Sequence, residues 1–439
     1  MRGKGILLAL GVAGAAGLAV RLNVGRRPAY PPGPLAVTAE GAPGYIGTLA
    51  AKSRVSRSDL AVAFAPSQAG GIEPLVHGRA YFPRMLEDIR AATSSVHFLI
   101  YGFKVGDIGT SFRDALIAKV DEGVDVRLSV DGVGSEVRMG SKQLYRELVD
   151  GGVQVVLNEG LWADMEGPLG GRRSLDRRFD DAGHFDHRKM LVVDGRVAYV
   201  GGTGIEDHFN DERFYDTMTR LEGPVVAQLQ VVFLSTWLYQ GGDLPRDPEG
   251  LRKYFPALAT PADPVRTTVL VNVPGEGFFP ISDATEQAIE QARQRVSIVN
   301  PYITEHSIID RLEEAAERGV DVRVVVPGKP TPTYPAAAFR HHYERLLAAG
   351  VRISAHPDMA HAKIVRADDR ALVGGCNLDA LSLYHNFELN LLFEDAATAE
   401  LVQTVVFDVF EQVAEPVAIA SGRRERLWNA AMDLVAPLL

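Results

Sequence analysis

Two short stretches of this 439-residue chain carry the same polar pattern. The first runs His187-Arg-Lys189-Met-Leu-Val-Val-Asp194, with Gly201 and Gly202 behind it. The second runs His361-Ala-Lys363-Ile-Val-Arg-Ala-Asp368, with Gly374, Gly375, Cys376 and Asn377 behind it. Both read H-x-K-x-x-x-x-D. Side chains at i and i+2 of a strand share a face, so each His–Lys pair points one way. A buried lysine needs a partner, and the same pair twice is hard to explain as core. The chemistry that fits is phosphodiester transfer. Two lysines supply the positive charge that a phosphodiester anion needs. One neutral imidazole can attack phosphorus, and the other can shuttle a proton near neutral pH. A histidine in either role is normally oriented by a carboxylate on its other nitrogen. Asp216, 29 residues after His187, and Glu388, 27 after His361, are the candidates. Asp194 and Asp368 complete the catalytic motifs, yet Asp194-Gly195 is a hairpin-turn dipeptide and both acids read as mainly structural. Gly202 and Gly375, with Asn377, are expected to bind phosphate, because glycine allows close backbone approach.

These residues sit at equivalent points of an internal repeat. Glu122-Gly-Val-Asp-Val-Arg127 recurs as Arg318-Gly-Val-Asp-Val-Arg323. Each copy follows a helical pattern, 112–120 or 308–316, and leads into an apolar run read as a buried strand, 124–130 or 320–326. Upstream strands are expected over 96–103 and 296–300. Strands alternating with helices indicate an α/β fold. The first half also carries 24 residues just before its catalytic strand that the second lacks. Gly152 to His187 is 35 residues, whereas Gly350 to His361 is 11. Arg172, Arg173, Arg177 and Arg178 lie in that insertion and are candidates for holding an anionic headgroup.

Composition narrows the class. A 46% apolar fraction suits a sizeable globular core, and a net charge of -10 argues against non-specific nucleic-acid binding. Cys376 is the sole cysteine, so no intramolecular disulfide forms, and its Gly-Gly-Cys-Asn turn does not favour a nucleophile. Arg2 and Lys4 precede an uncharged run from Gly5 to Val20, which reads as a signal or, preferably, an uncleaved membrane anchor. From Ser421 the tail places Leu427, Trp428, Ala431, Leu434, Val435 and Leu438 at helical spacing behind Arg423, Arg424 and Arg426. Such a helix suits a membrane interface. The expected organisation is an anchor or signal segment over 1–26, a linker and extension over 27–79, and a first half over 80–240. A linker over 241–280, a second half over 281–414 and a C-terminal amphipathic helix over 415–439 complete it.

Doubled H-x-K-x4-D motifs with trailing glycines and Asn377 resemble the signature of the phospholipase D superfamily, over about residues 80–412. Within it, Asp131-Gly-Val-Gly-Ser135, Asn300-Pro-Tyr302, Leu221-Glu-Gly-Pro224 and Asn377-Leu-Asp379 are similar to segments of bacterial cardiolipin synthases. The resemblance implies a duplicated phospholipase D-like fold, in which two pseudo-symmetric α/β halves with mixed sheets share one cleft. It implies no cofactor and no metal, an anionic phospholipid substrate at the cell membrane, and a nucleophilic His187 that forms a phosphohistidine. His361 then protonates the leaving alcohol and activates the incoming one. Three positions depart from the pattern. Gly204 stands where Asn is expected, Leu381 replaces an Arg, and Met218 stands where many relatives have His.

Overall fold

The computed structural model describes residues 35–137, 139–158, 184–211, 213–419 and 422–436. The anchor segment and the inserted arginines Arg172, Arg173, Arg177 and Arg178 lie outside these residues. Among the described residues no helix is long and apolar enough to cross a membrane.

The first half begins with α1 (Ala42–Ala50), β1 (Ser67–Val76) and α2 (Gly78–Ala91). It continues through β2 (Ser95–Ile100), α3 (Asp107–Asp121), β3 (Asp125–Asp131), α4 (Lys142–Asp150) and β4 (Gln154–Asn158). The motif hairpin β5 (Met190–Val193) and β6 (Val197–Gly201) follows, then β7 (Phe214–Tyr215), β8 (Thr217–Glu222) and α5 (Val225–Tyr239). The second half repeats the plan with β9 (Val265–Asn272), α6 (Pro280–Gln291), β10 (Arg295–Val299), α7 (His306–Glu317) and β11 (Asp321–Pro327). Next come α8 (Tyr334–His341), α9 (Tyr343–Ala349), β12 (Arg352–His356) and β13 (Met359–Ala360). The second motif hairpin is β14 (Ile364–Ala367) and β15 (Arg370–Gly374), followed by β16 (Glu388–Glu394), β17 (Glu415–Pro416) and α10 (Arg423–Val435).

Fifteen strands form one sheet in the order β17-β12-β11-β10-β14-β15-β16-β9-β1-β8-β6-β5-β2-β3-β4. Read outward from its centre, each half repeats the other: β1 answers β9, β8 answers β16, and β5–β6 answers β14–β15. The seam is the antiparallel pairing of β1 with β9, Ser67↔Thr267 to Ala69↔Val265. Two expected linkers therefore belong to the fold, since β1 lies in 27–79 and β9 in 241–280. Gly70, Gly71 and Pro74 weaken the strand signal of β1, which a hydrophobic reading passes over.

Three apolar clusters hold the sheet. One belongs to the first half, with Phe98, Phe112, Leu128 and Tyr145. One belongs to the second, with Ile298, Ile309, Val322, Val324 and Leu346. The third is shared and takes Val192 and Val200 from one half and Val271, Val373 and Leu391 from the other. Its middle is α5, mostly apolar with Gln228, Gln230, Ser235 and Thr236 among its residues, and buried along nearly its whole length. The halves thus share a core, and their relative placement is fixed by packing.

Candidate active site

Strand β5 begins at Met190 and β14 at Ile364, so each His-x-Lys lies in the extended run just before its strand. Alternation still governs these residues. Lys189 Nζ donates to the His187 carbonyl, and Lys363 Nζ contacts His361 at both Nδ1 (2.6 Å) and Nε2 (3.2 Å). The intervening Arg188 is buried and donates to Asp186 at 2.8 and 2.7 Å, with its guanidinium 5.1 Å from the Phe387 ring centroid. Asp186 is thereby committed to Arg188 and is not aimed with His184 and His187 at a common point.

The halves meet at their histidines. The His187 amide donates to the Phe387 carbonyl at 3.0 Å, and the His361 amide to the Tyr215 carbonyl at 2.6 Å. Each carbonyl belongs to the residue before an acid of the other half. This backbone pairing sets His187 Nδ1 against Glu388 Oε1 at 2.7 Å and His361 Nδ1 against Asp216 Oδ2 at 2.6 Å. The two acids are the ones expected, and the pairing crosses between halves. Comparable spacing in sequence does not distinguish an acid from the same half from its counterpart, and only the joining of the sheet does. Where Nδ1 donates to an ionised carboxylate, as His361 does to Asp216, the lone pair of the imidazole sits on Nε2, and His187 takes the same form when Glu388 is ionised.

Burial shapes the electrostatics. It pushes His187 well below its ordinary range, helped by Lys189 and Lys363, and lowers His361 to about 3, again with help from Lys363. Both shifts favour the neutral imidazole. Burial lowers Lys189 to about 7 and also lowers Lys363. The acids differ. Burial raises Glu388 to about 8 against the pull of Lys189. Burial acts the same way on Asp216, but Lys363 and His361 overcome it and hold that carboxyl below its usual range.

Other expected site residues fall differently. Asp194 accepts from the amides of Thr93, Ser94 and Ser95 at 2.8–2.9 Å. Asp368 does the same for Arg293, Gln294 and Arg295 at 2.7–3.0 Å. Both have φ just above +50°, a turn conformation that Asp tolerates. They lie seven residues beyond their histidines, roughly 20 Å along an extended strand at ~3.3 Å per residue. They clamp the loops entering β2 and β10 and are structural, not catalytic. Gly202 is required to be glycine beside Asp216, because a Cβ there would strike that carboxylate. Gly375 lies where the halves approach, its absent Cβ 3.2 Å from the Gly201 carbonyl. Asn377 lines the cleft, its amide 3.3 Å from Ser382 Oγ. Cys376 is buried, and burial drives its thiol well above the ordinary range.

A cavity of about 360 Å³ opens at His187. Its walls include Tyr101, Tyr302, Tyr334, Asn377 and Asp379. Tyr101 stands edge-on to His187 with ring centroids 4.8 Å apart, and Lys189 Nζ lies 4.9 Å from the same ring. Asp379 stands in the Asn377-Leu-Asp379 segment of the resemblance without a role read for it, and for Tyr101 its position directly after β2 was the available clue. Gly204 is explained by Glu206, whose Oε1 would be 2.7 Å from a Cβ at that position. A carboxylate fills the place where an asparagine was expected.

The constellation has the parts of a two-histidine phosphoryl-transfer site. Residues 85–237 and 286–409 match the family described as "Cardiolipin synthase, PLD-like domain". The chain belongs to the phospholipase D superfamily. It is 33% identical over 390 residues to Cardiolipin synthase A of Pseudomonas putida, covering 84% of this chain and 75% of that one. It is 32% identical over 377 residues to Cardiolipin synthase 2 of Bacillus cereus, covering 83% and 70%. Among solved structures, a phosphatidylserine synthase of Haemophilus influenzae shares the fold, with TM-score 0.64, 16% identity and coverage of 90% of this chain and all of that one. This phospholipase D-superfamily architecture is that of an enzyme, a phosphodiesterase or transferase.

Proposed function

We propose that this enzyme moves a phosphatidyl group from one phosphatidylglycerol to another, making cardiolipin and releasing glycerol. The observation that supports the reading is the crossed pair of His–acid hydrogen bonds, which leaves both Nε2 atoms free of the acids. His187 Nε2 attacks phosphorus, and the bond from phosphorus to the glycerol oxygen breaks. His361 Nε2 gives that oxygen its proton. The hydroxyl of a second phosphatidylglycerol then gives its proton to His361 and displaces His187 from phosphorus. His361 must start this cycle protonated, and the bound phosphodiester anion supplies the negative charge that favours an imidazolium beside Asp216. Lys189 and Lys363 face the equatorial oxygens, where their charge matters most as the transition state forms. Asn377 adds a donor, and Arg172, Arg173, Arg177 and Arg178 hold the anionic headgroup or membrane surface nearby. The names of the relatives support the lipid class, and the cavity at His187 gives the alcohol a place to enter and leave.

The test is product analysis of purified protein with phosphatidylglycerol vesicles, with and without chelator. Cardiolipin and glycerol in equal amounts are expected in both. Phosphatidic acid as the main product would replace transfer by hydrolysis, and loss of activity in chelator would bring in a metal.

A further inference from the structure

The C-terminal helix α10 is packed the wrong way round for a helix of a soluble surface. Asn429, Asp433 and Ala436, at i, i+4 and i+7, face the protein. Asp433 Oδ1 accepts from His342 Nε2 at 2.7 Å and His306 Nε2 at 3.0 Å, fastening α10 to the ends of α8 and α7. Asn429 is 2% exposed, and its Oδ1 has no partner among the described residues. The apolar face looks outward instead. Leu427 is 63% exposed, Trp428 49% and Leu434 81%. One turn before Leu427 and Trp428, on the same face, stand the exposed Arg423 and Arg424, with Arg426 beside them. Glu425 lies a turn before Asn429, toward the inward side.

We infer that α10 is a membrane-docking helix whose outward face enters the interface of an anionic bilayer and seats the cavity mouth on the lipid. Two observations select lipid as the occupant. In a chain of net charge -10, this face joins two arginines, Arg423 and Arg424, to an aromatic and two leucines, the composition of an interfacial helix. The helix also ends at the cavity, which Ala436 lines together with Tyr334, Pro335 and Ala338 of α8. A bilayer held on this helix therefore lies beside an element that borders the cavity of His187. The inference rests on the lipid-transfer reading only for this last step; the docking itself is tested separately.

The probe is Trp428 fluorescence in the full chain carrying Trp162→Phe, since Trp237 is buried at 3% exposure. On vesicles of phosphatidylglycerol and brominated phosphatidylcholine, the emission shifts to the blue and is quenched. On vesicles of brominated phosphatidylcholine alone it is quenched much less, and salt reduces the difference. Trp428 left unquenched overturns the proposal, whether the face is covered by residues 1–34, by a second copy seen in sedimentation, or by nothing. This readout is local, so an anchor elsewhere in the chain does not mimic it. Separately, Trp428→Glu with Leu434→Glu lowers turnover on vesicles at least tenfold and leaves turnover of a short-chain soluble phosphodiester unchanged. Equal losses on both substrates would make α10 a structural brace of the site. A wild type inactive on both, with Trp428 still quenched, refutes the transfer reading and leaves the docking surface standing.

Discussion

The two halves answer each other strand for strand, yet the space beside their histidines is used differently. In the second half, Tyr302, Tyr334 and Asp379 wall a cavity, and burial raises the Asp379 carboxyl to about 7. The equivalent acid of the first half, Glu206, pairs with Lys104 at 3.1 Å, a lysine it shares with Glu136 at 2.9 Å. Phe209 and Phe214 fill the space near His361 there, with ring centroids 5.8 and 5.1 Å from the imidazole. The acids differ in the same sense, since Asp216 stays ionised while Glu388 is poised near pH 8. On the proposed mechanism this difference divides the roles, since an ionised Asp216 favours an imidazolium at His361, as a proton donor needs. On the same mechanism, the raised Glu388 carboxyl is uncharged beside a neutral His187 and ionises when positive charge arises on His187 bonded to phosphorus.

The sharpest way to break this division is to remove each histidine. His187→Ala and His361→Ala should each lower phosphatidyl transfer by at least about 10³-fold, since members of one catalytic unit are individually indispensable. Unfolding curves matching wild type would show that the loss is chemical. The acids should separate next. Asp216→Asn should reduce turnover by about 10²-fold or more across the pH range. Glu388→Gln should cost less at pH 6, where wild-type Glu388 is protonated and glutamine imitates it, and more at pH 9, where it is ionised. The ratio of wild-type to variant kcat/KM at the two pH values measures this, and a ratio that falls with pH would reverse the assignment.

A smaller effect is expected where the halves are alike. Asp368→Ala removes the acceptor of three backbone amides and should destabilise by about 1–3 kcal/mol at pH 7, read by urea denaturation. The folded carboxyl is lowered by these amides and Arg366 against the opposing effect of burial. Its contribution is therefore present above the unfolded pKa of about 4 and lost as pH falls through the lower folded value. The gap to wild type should close below about pH 4. Residual activity per folded molecule should be unchanged, which separates Asp368 from the residues of the cleft.

Much of this was legible in the chain itself. The repeat, the α/β alternation and the four central side chains follow from spacing, because a two-residue period on a strand and a duplicated motif leave little freedom. The two orienting acids were recognised as residues but not as crossed partners. That crossing comes from β1 pairing with β9 and from the amides of His187 and His361 bonding across the join, which are contacts between residues about 145–200 apart. Gly202 has a steric reason that its sequence context does not show, because a Cβ there would strike the Asp216 carboxylate. The outward apolar face of α10 follows the helical pattern. Its fastening through Asp433 depends on where His306 and His342 come to rest.

The central claim is that His187 is the nucleophile and His361 the proton donor. A phosphatidyl ester of p-nitrophenol tests both at once, because this leaving group departs without a proton. His361→Ala should release a burst of one p-nitrophenol per active site and then stall, with the phosphatidyl group on His187. His187→Ala should show no burst. A burst from His187→Ala, or none from a folded His361→Ala, would contradict the assignment.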